Sequence, residues 1–322
     1  MFRKAAFITA LLAISVALPA SAQQWPPANL EIMTHSSPGG GGDRFIRPLV
    51  QTMQANYDID AVANNRVGGS GAVAATYMAT QAPKDGSVIQ AVTPTQLITP
   101  IRAPGVPTYQ DMTPIARIFV DPSTLYVHRN SRFQTIDDFL EHARANPGDI
   151  TIGIGSAGSL EGLVIAEMQQ AADIQVRIVP HEGGGDANVE LLGQHLDAVI
   201  GEVGDAATQL ENGDFRLLTV FQDDRLEGYP DVPTFKELGY DVVANKFRGV
   251  FGPPDMDPAL AETIAQSLSE MYELEPWASY WRDGNMAPAF SLPDHPPVHH
   301  WHGKPYVENQ YSFWPTPLEE GF

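Results

Sequence analysis

Two segments of the sequence, far apart in the chain, share one pattern. In each, a short apolar stretch runs into a loop of glycine and hydroxyl residues, and an amphipathic stretch follows. The loops lie at 36–43 and 155–159. Such loops let backbone N–H groups and a helix N-terminus converge on an anion, and glycine is needed because a side chain would hold the ligand away. The repetition predicts that one small acid is held between two lobes.

The first 22 residues have the pattern of an export signal. Arg3 and Lys4 precede the apolar run 5–18, and Ala20 to Ala22 fit a small-residue cleavage site. A membrane anchor is the less favoured interpretation because the run is too short to span a bilayer comfortably. We expect cleavage after Ala22 and a soluble periplasmic protein. The chain has no cysteine, which argues against thiolate zinc sites and an N-terminal lipid anchor.

The charge balance narrows the classes of partner. The 322 residues include 19 lysines and arginines against 39 acids, a formal net charge of −20. Such a surface argues against nucleic acid and against anionic lipid. An anionic ligand would therefore depend on local groups: loop amides, helix dipoles and a few arginines.

Strand and helix patterns alternate along the chain, which predicts an α/β fold. Apolar strands are predicted at 30–34, 61–64 and 87–92, with helices between them, as in a parallel sheet covered by helices. The length suits two lobes better than one core. We expect crossings near 122 and 224, with strand 215–220 carrying the chain back. Lobe 1 would comprise 23–122 and 225–322, and lobe 2 would comprise 123–224, joined by a two-crossing hinge.

Six short motifs occur in a characteristic order. They are SPGGGGD at 37–43, NRVGGSG at 65–71, APKDG at 82–86, GSAGS at 155–159, GDFRLL at 213–218 and YPDVPT at 229–234. In order and spacing they resemble the substrate-binding receptors of tripartite tricarboxylate transporters, also called Bug receptors. The resemblance covers about 30–258. It implies a type II periplasmic binding-protein fold, each lobe a mainly parallel sheet flanked by helices, that closes on a small carboxylate and delivers it to transmembrane permease subunits. We expect a monomer with no cofactor, metal or catalytic residue.

The sequence departs from the family at three places. Glu182 stands where family members often carry a lysine, which affects the charge that the ligand can carry. The glycine run lacks the threonine often seen before the aspartate. The segment 293–302, with four histidines, does not match the family's last helix. Its histidines could bind a transition metal, but a solvated proline-rich wrap is the favoured interpretation.

We expect the carboxylate to lie between 36–43 on lobe 1 and 155–159 on lobe 2, with 93–96 and 183–186 along the sides. The candidate ligand-binding residues are Ser36, Ser37, Gly39, Gly40, Gly41, Gly42, Asp43, Thr93, Thr95, Gln96, Gly155, Ser156, Ala157, Gly158, Ser159, Gly184, Asp186, Asp205 and Arg248.

Several of these residues have two possible roles. Asp43 could contact a ligand ammonium group or cap the following helix, and capping is favoured. Ser156 and Ser159 could cap a helix or contact the ligand. Arg248 lies in an apolar strand, where a charge is rarely buried unless paired. It could hold a carboxylate with both prongs of its guanidinium and so set the ligand class, or it could pair with an aspartate.

An enzyme is the alternative hypothesis. The segment 153–158 matches the G-x-G-x-x-G pattern of dinucleotide sites, which suggests an exported NAD-dependent oxidoreductase. Such a site also needs an acid at the end of the next strand, but Asp173 precedes that strand and Glu182 comes late. A serine hydrolase is disfavoured because Ile154 breaks the G-x-S-x-G pattern.

Overall fold

The structure is a computed structural model, and it describes residues 25–291 together with 300–301 and 304–305. The predicted signal at 1–22 lies outside the described residues, as does most of the histidine-rich segment 293–302. Within the described part, no helix is both long enough and apolar enough to cross a bilayer.

The predicted alternation of strands and helices is confirmed. The described residues form these strands: β1 Asn29–Thr34, β2 Asp60–Asn65, β3 Val88–Val92, β4 Thr113–His128, β5 Thr151–Ile154, β6 Arg177–Pro180, β7 Ala198–Glu202, β8 Phe215–Val220, β9 Asn245–Gly252, β10 Ala287–Ser291, β11 His300–Trp301 and β12 Lys304–Pro305. They also form these α-helices: α1 Gly41–Asn56, α2 Ala72–Thr80, α3 Thr95–Arg102, α4 Ile136–Ala145, α5 Leu160–Ala172, α6 Gly184–Leu192, α7 Ala207–Glu211, α8 Pro258–Glu270 and α9 Trp277–Asp283.

The long strand β4 connects the two halves of the sheet. The strand order is β2-β1-β3-β9-β4-β7-β5-β6, and β8 and β10 also pair with β4. Its first part pairs with β9 and its last part pairs with β7 and β8. The sequence predicts two strands here, at 111–121 and 124–128. The structure has one strand instead, because Pro122 is accommodated opposite Asn245 without ending the ladder.

Each half of the sheet buries its own apolar core, in keeping with the predicted two-lobed α/β architecture. The first core contains Ile32, Phe45 and Trp277, and the second contains Phe139, Ile152 and Ile165. Strands β1, β2 and β3 are parallel, as are β5, β6 and β7, whereas β9 runs antiparallel to β3 and β4. One helix that follows a glycine loop contributes to each core: α1 supplies Phe45 to the first and α5 supplies Ile165 to the second.

The return of the chain from the second half differs from the sequence-based expectation. Strand β8 pairs with the last part of β4, so it belongs to the second half rather than carrying the chain back. Phe221, Phe235 and Ala244 also pack in the second core. The chain enters the first half at β9, which favours a second crossing near 244–245. The lobe limits at 122 and 224 stay a prediction, because an apolar strand pattern does not reveal which neighbour the strand pairs with.

Candidate ligand-binding cleft

The glycine loops of the two halves touch each other. The Ser37 N–H donates to the carbonyl oxygen of Glu182 at 3.3 Å, and the Ser37 hydroxyl donates to Asp186 Oδ2 at 3.1 Å. An ideal Cβ on Gly183 would lie 2.2 Å from Ser37 Oγ and 3.3 Å from the Ser37 backbone nitrogen, so this close approach favours glycine. The two halves are therefore closed on one another at the mouth of a cleft.

A cavity of about 40 Å³ lies beneath these contacts. At about 10–15 Å³ for each water, it has room for roughly three water molecules. Many of the residues predicted from the sequence line it. They are Ser36, Gly41, Gly42, Thr93, Thr95, Gly155, Ser156, Ser159, Gly184, Asp205 and Arg248. The cavity thus brings together residues from both predicted glycine loops.

The other predicted residues shape the loops without lining this cavity; they are Ser37, Gly39, Gly40, Asp43, Gln96, Ala157, Gly158 and Asp186. Asp43 does not cap α1 at Gly40, because its Oδ2 instead accepts from the Gly39 N–H at 2.9 Å and from Arg47 Nε at 2.7 Å. Although burial acts to raise it, these hydrogen bonds hold the pKa of Asp43 below its ordinary value. The carboxylate braces the first loop.

Gln96 and Gly158 do not line the cavity, but their contacts hold residues close to it in place. Gln96 Oε1 accepts from the Thr93 N–H at 2.9 Å, and its amide nitrogen donates to His35 Nδ1 at 2.7 Å. An ideal Cβ on Gly158 would lie 2.5 Å from Thr99 Oγ1, so the second glycine loop packs against the first half of the molecule. These contacts fix the positions of the cavity walls.

Three helices begin at the cavity: α1 at Gly41, α5 at Leu160 and α6 at Gly184. The carboxylate of Asp205 lies between the first turns of α1 and α6. An ideal Cβ on Gly41 and one on Gly184 would both lie 2.8 Å from Asp205 Oδ2. Helix N-termini favour an anion at such a position. The protein's own carboxylate therefore occupies part of the space that the sequence predicts for the ligand's carboxylate.

A network of buried ion pairs forms the floor of the cavity. Lys246 Nζ donates to Glu161 Oε1 at 2.6 Å and to both oxygens of Glu202 at 2.9 and 3.0 Å. Lys246 and Arg248 point to the same side of β9 because alternate residues of a strand share a face. Arg248 donates to Asp121 Oδ2 through Nε, at 2.8 Å, and through Nη2.

The network settles the immediate partner of Arg248. Its guanidinium is 1% exposed and pairs with Asp121, which is 0% exposed. Nη2 also lies 3.7 Å from Asp205 Oδ1 and 3.9 Å from Glu202 Oε2. Of the two roles left open by the sequence, pairing with an aspartate is the one present in the structure. The arginine lines the cavity as well.

Burial shifts the ionisation of several groups here. It raises the pKa of Asp121 to about 6 against the opposing charge of Arg248. Burial also raises the pKa of Glu202 well above its ordinary value, with Lys246 opposing and Glu161 adding to the rise. Burial, helped by the charge of Lys246, lowers the pKa of His35 to about 4. His35 is therefore uncharged at neutral pH.

Some lining residues were missed by the sequence analysis; they are His35, Ser70, Glu161, Ile200, Gly201, Glu202 and Lys246. The signal that identified Arg248, a charge in an apolar strand, also applies to Lys246 on β9 and to Glu202 at the end of the fully buried strand β7. Glu161 follows the second glycine loop directly, but its burial is apparent only once Lys246 of β9 is seen to pair with it.

Comparison with known proteins gives a consistent family assignment. Residues 46–291 match the family described as TctC, tripartite tricarboxylate transporter family receptor. The chain is similar to protein BugT of Bordetella pertussis, at 24% identity over 283 residues, which is 87% of each chain. It is also 28% identical, over 240 residues, to a UPF0065 protein of Pseudomonas sp. strain P51, covering 72% of this chain and 70% of that one.

Solved structures share the fold. The periplasmic binding protein BugD superposes with a TM-score of 0.76 at 20% identity, covering 82% of this chain and 89% of that one. MatC of Rhodopseudomonas palustris, solved with malate, gives a TM-score of 0.74 at 19% identity, over 80% and 89% of the two chains. An R. palustris protein solved with adipate gives 0.77 at 22% identity, over 82% and 90%. These likenesses establish a periplasmic binding-protein fold.

Proposed function

Since the chain belongs to the tripartite tricarboxylate transporter receptor family, we propose that it is a periplasmic receptor without catalytic activity. It closes two lobes around a small carboxylate and delivers that solute to the membrane subunits of a tripartite tricarboxylate-type transporter. The neighbours solved with malate and with adipate support a carboxylate as ligand.

The observation that carries this proposal is the cavity where the two glycine loops meet. Its wall combines hydroxyl groups of Ser36, Ser70, Ser156 and Thr93 with the N-terminal ends of three helices. Ser156 Oγ is buried and has no hydrogen-bond partner among the residues that the structure describes. A buried hydroxyl without a partner is unfavourable, and a ligand carboxylate would accept its hydrogen bond.

The affinity available from such contacts is modest. Hydrogen bonds to a charged group contribute about 1.5–3 kcal/mol each, so four would give roughly 6–12 kcal/mol before an association cost of at least about 4 kcal/mol. Micromolar binding needs about −8 kcal/mol. A carboxylate held only by hydroxyl groups and amides therefore reaches micromolar affinity at the upper end of this range.

The test is to fill the first glycine loop. An ideal Cβ on Gly40 would lie 2.4 Å from Ser36 Oγ and 3.5 Å from Gly183 Cα, so Gly40→Asp adds both bulk and negative charge where the halves meet. We expect at least about a tenfold loss of carboxylate affinity in calorimetry. Gly162→Ala is the matched control, because the nearest atom to its new Cβ would be 3.7 Å away. If Gly40→Asp bound the carboxylate with wild-type affinity, the proposed site would be ruled out.

The ligand that stabilises the protein distinguishes a receptor from an oxidoreductase. A receptor is stabilised against heat by small acids and returns them unchanged, whereas a dehydrogenase is stabilised by NAD. Thermal shifts measured with both classes, followed by mass analysis of the acid after incubation, distinguish the two. Turnover of a bound acid would show that the protein is an enzyme.

A further inference from the structure

The walls and floor of the cavity carry more negative than positive groups. Four carboxylates, those of Asp121, Glu161, Glu202 and Asp205, are each at most 4% exposed. They face two cations, Lys246 and Arg248, which leaves a formal excess of two negative charges. A buried excess of charge is strongly unfavourable unless it is paired or neutralised.

The two cations are already engaged by these carboxylates. Lys246 Nζ contacts three carboxylate oxygens, and Arg248 uses Nε and Nη2 on Asp121. A ligand carboxylate would have to compete with these pairs for a positive partner. Arg248 Nη1 makes neither of these contacts and lies 3.0 Å from an ideal Cβ on Gly41, at the first turn of α1. The floor therefore offers a second carboxylate of the ligand an N–H group but no unpaired cation.

A second observation points to a missing donor at the same place. Glu161 Oε2 is buried with no hydrogen-bond partner among the described residues, although Oε1 of the same group accepts from Lys246. The Glu161 side chain is 2% exposed and lines the cavity. Nearly all buried acceptors in folded proteins have a partner. Burial acts to raise the pKa of Glu161, but Lys246 and the Ser159 side chain hold it below its ordinary value. Oε2 of this carboxylate is thus the oxygen open to a donor from an occupant of the cavity.

Protons alone do not remove the excess. Burial raises the pKa of Glu202 well above its ordinary value, so this carboxyl takes up a proton more readily than a free one does. The pKa of Asp121 reaches only about 6, so that group is mostly ionised at pH 7. His35, with a pKa of about 4, carries no positive charge at neutral pH to offset the excess.

We propose that the solute is a small aminocarboxylate, whose cationic N–H group binds among Glu161, Glu202 and Asp205 and whose carboxylate binds the hydroxyl groups of the glycine loops. This inference rests on the proposed receptor function and names its ligand class. The cation supplies the donor that Glu161 Oε2 lacks and neutralises the excess charge. The cavity is small, about 40 Å³, which favours a compact aminocarboxylate.

Matched ligand pairs test the ligand class. Calorimetry on the mature wild-type protein would compare alanine with lactate and propionate, and γ-aminobutyrate with butyrate, with ethylamine as the amine lacking a carboxylate. We expect an aminocarboxylate to bind at least about tenfold tighter than its nitrogen-free partner, the difference made by one charge-assisted hydrogen bond.

The outcomes separate this inference from the proposed function. Equal or tighter binding of the nitrogen-free acids would overturn the aminocarboxylate class and leave the carboxylate receptor standing. Binding of ethylamine as tight as that of the aminocarboxylates would support the cation site and overturn the carboxylate part of the proposed function.

A charge-neutralising variant tests the site. Glu161→Gln should weaken the aminocarboxylate at least about tenfold and leave a nitrogen-free acid within about twofold. Glu167→Gln, an exposed acid on the same helix, is the control and should bind as wild type. If Glu161→Gln does not fold, Glu202→Gln removes charge from the same wall. Equal losses for both ligand types would contradict the proposed cation site.

Discussion

Replacing Lys246 by methionine should destabilise the protein more than any exposed lysine substitution. Lys246 is 9% exposed and is the hydrogen-bond donor to both Glu161 and Glu202. Methionine fills a similar volume but leaves two buried carboxylates facing each other. Removing one partner of a buried ion pair typically costs about 3–5 kcal/mol, because the remaining charge is uncompensated.

Proton uptake by a remaining carboxylate should place the cost of losing Lys246 at the lower end of that range. Burial already raises the pKa of Glu202 well above its ordinary value, so this group can become neutral when Lys246 is lost. We therefore expect the free energy of unfolding to fall by about 3 kcal/mol at neutral pH. At roughly 2 °C for each kcal/mol in a chain of this length, the midpoint of thermal unfolding should fall by about 6 °C. The loss should shrink at pH 5, where carboxylates protonate more readily.

The assay is thermal unfolding at pH 8 and pH 5, with Lys84→Met as the control. Lys84 also pairs with a carboxylate, Asp255 Oδ2 at 2.9 Å, but both side chains are largely exposed. An exposed pair contributes only about 0–1 kcal/mol. If Lys246→Met lowered the midpoint no more than Lys84→Met does, the reasoning from buried charge would be refuted.

The glycine loops could be predicted because their signal is local. A strand, a run of glycines and an amphipathic helix follow one another within a few residues, and the positions of Ser36, Gly41 and Ser156 on the cavity wall follow from that order. Helices α1, α5 and α8 could be predicted from their local apolar spacing, whereas α9, which carries the core residue Trp277, was not predicted. The pairing partners of the strands were harder to predict, since β8 has the same apolar pattern whichever half of the sheet it joins.

The ion network could not be predicted because its members come from distant parts of the chain. Lys246 on β9 meets Glu161 on α5 and Glu202 on β7 only after β4 has placed the two halves side by side. The sequence indicates that a charge in an apolar strand needs a partner, as for Arg248, but it does not name that partner. The acidity of the site therefore follows only from the fold.

Two further variants test this site. Arg248→Lys should weaken monocarboxylates and dicarboxylates equally in calorimetry, because the guanidinium fork is held by Asp121; a selective loss for dicarboxylates would assign the fork to the ligand. His35→Gln should flatten the dependence of stability on pH. His35 accepts a hydrogen bond from Gln96 and titrates near pH 4 instead of 6.5, so the unfolded chain binds a proton in this window and the folded chain does not. Wild-type stability should therefore fall by up to about 3 kcal/mol more than that of the variant as pH drops from 7.5 to 4. Other titrating groups are common to both proteins and largely cancel in the difference. The free energy of unfolding is measured by urea unfolding across this pH range. If it fell equally in both proteins, His35 would not be held neutral by burial and the charge of Lys246.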